Sequence, residues 1–159
     1  MKVPVWSRPL PLLVLLTGCG GSSPSPTGPS TPTSFLTGTW RGTVTIEVNP
    51  GDPNALPPSS GAMQWTFEVM PQTNLQSFRT TVRSEHAWLT MTTTATTALT
   101  PGNTPPTQIS TQGAFDSPRG CRGTFGSVGT AEATRIEADF TGTDCQQATF
   151  IGRVVLTKN

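Results

Sequence analysis

Apolar and polar residues alternate with a period of two along most of the chain after residue 35. From Gly38 to Val48, Trp40, Val44, Ile46 and Val48 share one parity, against Thr39, Arg41, Thr43, Thr45 and Glu47 on the other. Successive side chains of a strand point to opposite faces, so this run predicts a strand with one dry and one wet face. Met63, Trp65, Phe67 and Val69 repeat the pattern against Gln64, Thr66 and Glu68. Phe78, Thr80 and Val82 do so against Arg79, Thr81 and Arg83. A threonine-rich run, His86 to Leu99, favours β structure because threonine is branched at Cβ. Its inward face is left open by parity, since Trp88 opposes Leu89 and Met91. Ile109 to Phe115 and Gly120 to Ser127 are weaker strands.

Ala131 to Phe140 is the one stretch where a helix competes, through its Ala, Glu and Arg content and the four-residue spacing of Ile136 and Phe140. Ile136, Ala138 and Phe140 also alternate with Arg135, Glu137 and Asp139, and Thr141-Gly142-Thr143-Asp144 reads as a turn directly after, so a strand is adopted. The last strand, Ala148 to Thr157, places Phe150, Gly152, Val154 and Leu156 on one face. The pattern predicts an all-β domain, an antiparallel up-and-down barrel of about eight strands, with a β-sandwich as the alternative. Seven of the 16 prolines precede residue 35, and the rest fall between the patterned runs, where they read as element boundaries. The proline-rich connector from Pro50 to Gly61 is expected to hang over one end of the barrel.

Before residue 35 the pattern is different. Lys2 and Arg8 flank an apolar run, Leu10 to Leu16, which ends in Thr17-Gly18-Cys19. Basic flank, short apolar centre and small residues make a secretory signal, because a membrane-spanning helix needs about 20 apolar residues. Leu16-Thr17-Gly18-Cys19 resembles the lipobox of bacterial lipoproteins. That resemblance implies that residues 1–18 are a removed signal, and that Cys19 takes a diacylglycerol and becomes the acylated N-terminus. Two or more acyl chains hold a protein stably on a membrane. Gly20 rather than Asp after the cysteine implies the outer membrane of a double-membraned cell. Residues 19–34 hold the lipidated cysteine and a Pro/Ser/Thr/Gly tether with no side chain able to build a core. A flexible chain of about 15 residues spans about 20 Å. Residues 35–159 then form one domain of a size usual for a single core.

Removing the signal takes Lys2 and Arg8 from the 10 Lys+Arg, leaving 8 against 9 Asp+Glu, a formal charge of −1. The remaining basic residues are scattered, with no cluster to attract phosphate, so nucleic acid is not an expected partner.

Leu36-Thr37-Gly38-Thr39-Trp40, at the start of the first strand, resembles the Gly-X-Trp opening of the calycins, the lipocalin and avidin-like barrels. In lipocalins a basic residue near the end of the last strand covers that tryptophan, and Arg153 is the candidate for this role. An avidin-type ligand pocket is not implied, because the chain has no tyrosine and matches no biotin-contacting residue.

Cys121 and Cys145 are the remaining cysteines. An even pair in an exported chain is most simply a disulfide, here closing a ring of about 25 residues worth about 3.5 kcal/mol in the loop-entropy model. Free thiols or a metal site are the alternatives, though zinc would want more Cys and His than the single His86. His86 beside Glu85 is read as a solvated residue at a strand end, because strand neighbours point to opposite faces. Glu137, Asp139 and Asp144 match no calcium loop and read as a wet face and a turn. Gly120, Gly123, Gly126 and Gly129 read as bulges or tight bends rather than a phosphate loop. No metal site, no cofactor and no enzymatic centre is expected.

The aromatic residues are the remaining hint. An eight-strand barrel is just wide enough to be filled by side chains or to hold one small ligand. Trp40, Trp65, Phe67, Trp88 and Phe140 are the candidate ligand-binding residues. The expectation is an envelope lipoprotein whose lipocalin-like barrel binds a small apolar molecule or lipid. The alternatives are a protein-binding barrel, such as a periplasmic protease inhibitor, and a structural envelope lipoprotein without ligand. Nothing in the sequence identifies a protein partner or an oligomeric state.

Overall fold

Eight antiparallel strands follow one another around a closed barrel, each paired with the strand before it and the last with the first. The computed structural model describes residues 34–53, 55–71, 75–144 and 148–159. The expected signal, Cys19, the tether up to residue 33 and Cys145 lie outside the described residues. The strands are β1 (Gly38–Val48), β2 (Leu56–Val69), β3 (Ser77–His86), β4 (Leu89–Thr100), β5 (Thr107–Ser117), β6 (Cys121–Ala131), β7 (Arg135–Thr143) and β8 (Thr149–Lys158). β8 closes the wall on β1 in unbroken register from Trp40↔Lys158 to Val48↔Phe150. This is the up-and-down barrel that the alternation predicts, and the sandwich alternative is excluded.

The alternating residues are the cause. Trp40, Val44, Ile46 and Val48 of β1, and Met63, Trp65 and Phe67 of β2, are buried. Phe78 and Val82 of β3 and Phe150, Val154 and Leu156 of β8 join them. The stretch that admitted a helix is strand β7, with Ile136, Ala138 and Phe140 inward. Parity inside β4 is settled in favour of Leu89 and Met91, which are buried together with Ala95, Thr97 and Leu99. Trp88 sits in the tight turn between β3 and β4, so the run from His86 to Leu99 is a strand end, a turn and a new strand.

Four expectations about boundaries are corrected. The connector does not run from Pro50 to Gly61, because β2 begins at Leu56 and its first residues pair with β1. Pro57 and Pro58 therefore lie within a strand. They are tolerated because they sit opposite Glu47 at a register shift in the β1 ladder, and pairing with β3 begins only at Met63. Thr141-Gly142-Thr143 is not a turn but the end of β7, paired with Ile151, Phe150 and Thr149. Ser34, expected at the end of the tether, is buried, and its hydroxyl bonds Asn103.

The glycines of β6 make no bulge, since β5 and β6 pair without a shift from Thr107↔Ala131 to Ser117↔Cys121. Gly120 lies at φ +82° in the turn before β6, a conformation that favours glycine. Gly123 has a different use: a Cβ there would stand 2.6 Å from Cζ of Phe115, its register partner. Phe125 lies over Gly113 and Phe150 over Gly142 in the same way. Small residues on one strand are seats for rings from the next. Tertiary packing, not local bending, explains these positions.

Candidate functional site

Two aromatic clusters fill the barrel, one near each end of β1. Near its start, Phe67 meets Trp40, Trp65 and Phe78 edge-on at ring-centre distances of 6.5, 5.9 and 6.3 Å. Near its end, Phe125, Phe140 and Phe150 form a stack at 5.3 and 5.7 Å, with Phe115 against Phe125 and Phe150. Trp88 leans on Phe150 from the turn, at 5.4 Å. The five candidate ligand-binding residues are thus divided: Trp40, Trp65 and Phe67 in one cluster, Trp88 and Phe140 in the other. Trp40, Trp65, Phe67 and Phe140 are at most 1% exposed, held by one another and by aliphatic neighbours.

The first cluster is stoppered by the residues leading into β1. Leu36 is fully buried, and its carbonyl accepts the Trp40 Nε1–H at 2.8 Å. The Lys158 ammonium lies 5.5 Å from the Trp40 ring centre and donates to the Phe35 carbonyl. Arg153 does not take this role. Its parity on β8 points it outward, where it bonds Glu137. Lys158, register partner of Trp40, is the basic residue that reaches the ring. The alternation of β8 sets Arg153 on the parity opposite to Phe150, Val154 and Leu156; the missed signal was Lys158, two residues past the last inward apolar position.

Trp88 is covered by Arg119, whose guanidinium carbon stands 4.5 Å from its ring centre. Arg119 also pairs at 3.2 Å with Asp144, a carboxylate with no side-chain exposure. Asp144 accepts the Ala148 N–H at 3.0 Å, so it ties the β7–β8 turn to the β5–β6 turn. It is a buried structural carboxylate, not part of a wet acidic face. Glu137 and Asp139 do lie on the outer wall.

His86 is also corrected: it is 2% exposed. Its Nδ1 accepts the Trp88 N–H at 3.2 Å, which assigns the ring proton to Nε2. Nε2–H then donates to the Ser59 carbonyl at 3.0 Å and lies 2.9 Å from its hydroxyl. A general base would need a bare Nε2 facing the serine. This histidine instead ties the leading end of β2, which lacks a β3 ladder, to the β3–β4 turn.

Hydroxyls line part of the interior across β3, β4 and β5: Thr80 bonds Thr97 at 2.7 Å and Thr97 bonds Thr111 at 2.8 Å. Ser127, register partner of Thr111, is buried, and neither its hydroxyl nor the Trp65 Nε1–H has a hydrogen-bond partner among the described residues. Thr80 shares the parity of Phe78 and Val82, so its inward direction was legible, but nothing in the threonine-rich run settled Thr97, because threonine satisfies strand propensity on either face.

Two concavities lie on the outer wall. The larger, about 430 Å³, spans β6, β7 and β8 around Val128, Thr130, Arg135, Glu137 and Arg153. A neighbour of about 370 Å³ runs across β7, β8, β1 and β2 by Ile151, Pro58 and Glu47. Val128 and Ile151 are 62% and 43% exposed, the large apolar side chains of this wall. Glu137 lies between Arg153 and Arg135, at 2.6 Å from Arg135 Nε. Hydrogen bonds from Arg153 first and Arg135 second hold its carboxyl below the ordinary glutamate value, and Glu137 in turn raises Arg153. A folded-state pKa below the unfolded one means the pairing contributes fully above the unfolded value. It is lost as pH falls through the folded one. Carbon-detected NMR of the Glu137 carboxyl is expected to show a midpoint below the ordinary glutamate value; an ordinary midpoint would mean the pairs are not kept in solution.

Among the described residues, no group of three or more His, Cys, Asp or Glu side chains is placed to hold a metal ion. Cys121, at the start of β6, is disulfide-bonded. No family model, no curated protein and no solved structure matches the chain.

Proposed function

We propose that this is a lipid-anchored envelope protein whose calycin-like barrel binds another protein through its outer wall. The observation that carries the reading is the interior: aromatic rings fill both ends, those of one end seated on glycines, while two concavities lie on the outer wall. A small-molecule carrier needs a concave, mostly apolar cavity that buries its ligand. The anchor rests on Leu16-Thr17-Gly18-Cys19, the tether on the composition of residues 20–33, and the outer membrane on Gly20. Support for the calycin likeness comes from Gly38-Thr39-Trp40 and from Lys158 over Trp40, near the end of the last strand, where lipocalins carry a basic residue. Cys145 is the partner proposed for Cys121, joining the β7–β8 turn to β6.

A second reading, an interior that holds a small molecule, is favoured by two inward groups without a hydrogen-bond partner among the described residues, Trp65 Nε1–H and Ser127 Oγ. A buried unpaired donor costs about 1–3 kcal/mol, which a guest with an acceptor would offset. One experiment separates the readings. The full chain is expressed in a double-membraned bacterium, extracted from membranes and weighed by native and denaturing mass spectrometry. The expected mass starts at Cys19, carries acyl groups, lies two hydrogens below the reduced chain and is free of further adducts. A non-covalent adduct lost on denaturation would replace the first reading with the second. An unprocessed N-terminus would remove the anchor from both.

A further inference from the structure

A third hollow, of about 160 Å³, joins the two on the outer wall, and the Asp139 side chain lines all three. Register explains the meeting. Val128, Asp139, Arg153 and Thr45 form one row across β6, β7, β8 and β1. Gly126, Thr141, Ile151 and Glu47 form the next. A Cβ at Gly126 would meet nothing nearer than the Thr111 carbonyl oxygen at 3.8 Å, so the wall is open there.

The chemistry of this face is mixed. Val128 and Ile151 are exposed, whereas β3, β4 and β5 expose no large apolar side chain among the described residues. The charged residues lining the three hollows are Glu47, Glu132, Glu137 and Asp139 against Arg135 and Arg153, a net of −2. Both guanidiniums bond Glu137. Arg153, register partner of Asp139, acts on it through space while its hydrogen bond goes to Glu137. The carboxylates of Glu47, Glu132 and Asp139 accept no hydrogen bond and join no ion pair among the described residues. This combination narrows the kind of partner. Exposed apolar side chains suit those of another protein, and a face of net negative charge turns away anionic headgroups and nucleic acid and draws cations.

We propose that this face docks a segment of a partner protein that carries lysine or arginine between apolar residues, with its cations set on Asp139 and Glu47. The proposal names the partner chemistry of the protein-binding wall and rests on that reading. Asp139 and Glu47 stand on β7 and β1, with β8 between them. Two strand spacings are about 10 Å, which matches basic residues about three positions apart in an extended chain. Val128 and Ile151 then meet the apolar residues beside those cations.

Fluorescence anisotropy of two labelled hexapeptides tests the choice. The full chain is held in nanodiscs of phosphatidylcholine, a lipid without net charge, and empty discs are the blank. Lys-Val-Ser-Lys-Val-Ser places a cation at every third residue, and Glu-Val-Ser-Glu-Val-Ser is its acidic twin. The lysine peptide is expected to bind and the glutamate peptide not to. Exposed ion pairs are individually weak, so Asp139→Asn is expected to weaken binding about threefold, and Asp139→Asn with Glu47→Gln about tenfold. Neither carboxylate is bonded within the barrel, so both variants keep the fold. Asp116→Asn, an equal change of charge on exposed β5, is expected to change nothing. Equal weakening by Asp116→Asn, or no binding of the lysine peptide, overturns the proposal. So does preferential binding of the glutamate peptide; if Val128→Ser and Ile151→Ser then weaken it, the wall still docks protein and only the basic occupant falls. Failure of the protein-binding reading itself shows elsewhere, as the non-covalent adduct in the mass measurement above.

Discussion

Trp40→Ala is expected to lower the stability of the barrel by about 3–5 kcal/mol, the range for removing a fully buried aromatic side chain. The ring is 0% exposed and lies between the register partners Trp65 on β2 and Lys158 on β8, so it spans the strand that closes the barrel. Truncation removes the edge contact with Phe67 and the face beneath Lys158, and leaves the Leu36 carbonyl without the indole N–H. Neighbouring strands hold the backbone on both sides, so the space cannot close by local collapse. Domains of this size are stable by about 5–15 kcal/mol, which makes such a loss a large share of the total. Urea unfolding followed by far-ultraviolet circular dichroism measures it. Trp40→Phe should recover most of the loss but remain about 1 kcal/mol below the natural chain for want of the N–H. A cost under about 1 kcal/mol for the alanine variant would place this ring outside the core.

Gly142→Ala carries the second largest expected effect, a loss of about 1–3 kcal/mol from overpacking. The added Cβ would stand 2.1 Å from Cζ of Phe150 and 2.4 Å from the Thr124 carbonyl oxygen. The first contact could be relieved if the ring moved, but Phe150 is confined by Phe115, Phe140 and Trp88. The second is with the backbone of β6 and cannot be relieved without disturbing the wall. Phe150→Leu should therefore restore part of what Gly142→Ala loses, and a double-mutant cycle reads the coupling directly. Strict additivity of the two changes would mean that the ring does not sit on this glycine.

The glycine seats and the buried His86 show where sequence reading ran out. The threefold spacing in Gly120, Gly123, Gly126 and Gly129 looked like a local feature, yet Gly123 answers to Phe115 on the neighbouring strand. Nothing local distinguishes a glycine under a ring from one at a bend. His86 ends its strand on the same parity as Phe78 and Val82, so its inward direction was legible. Its burial was not, because the covering atoms come from Ser59 on β2 and from the Trp88 turn. Of the aromatic candidates, Trp40, Trp65, Phe67 and Phe140 lie at inward strand positions, and Trp88 lies in a turn. Their division into two clusters depends on strand order and register, which alternation alone does not specify.

Period two over short runs, broken by turn residues, was enough to determine an all-β meander, because a strand's two faces meet different solvents. The sequence by itself also determined the contrast between a patterned domain and the unpatterned stretch that precedes it. Only the tertiary structure decided which strand pairs with which residue for residue, and hence everything made across strands. Lys158 over Trp40, Arg119 between Trp88 and Asp144, the rings on their glycines and the hollows around Asp139 all belong there. Alternation reports the environment of each face, whereas these features depend on contacts between residues far apart in the chain.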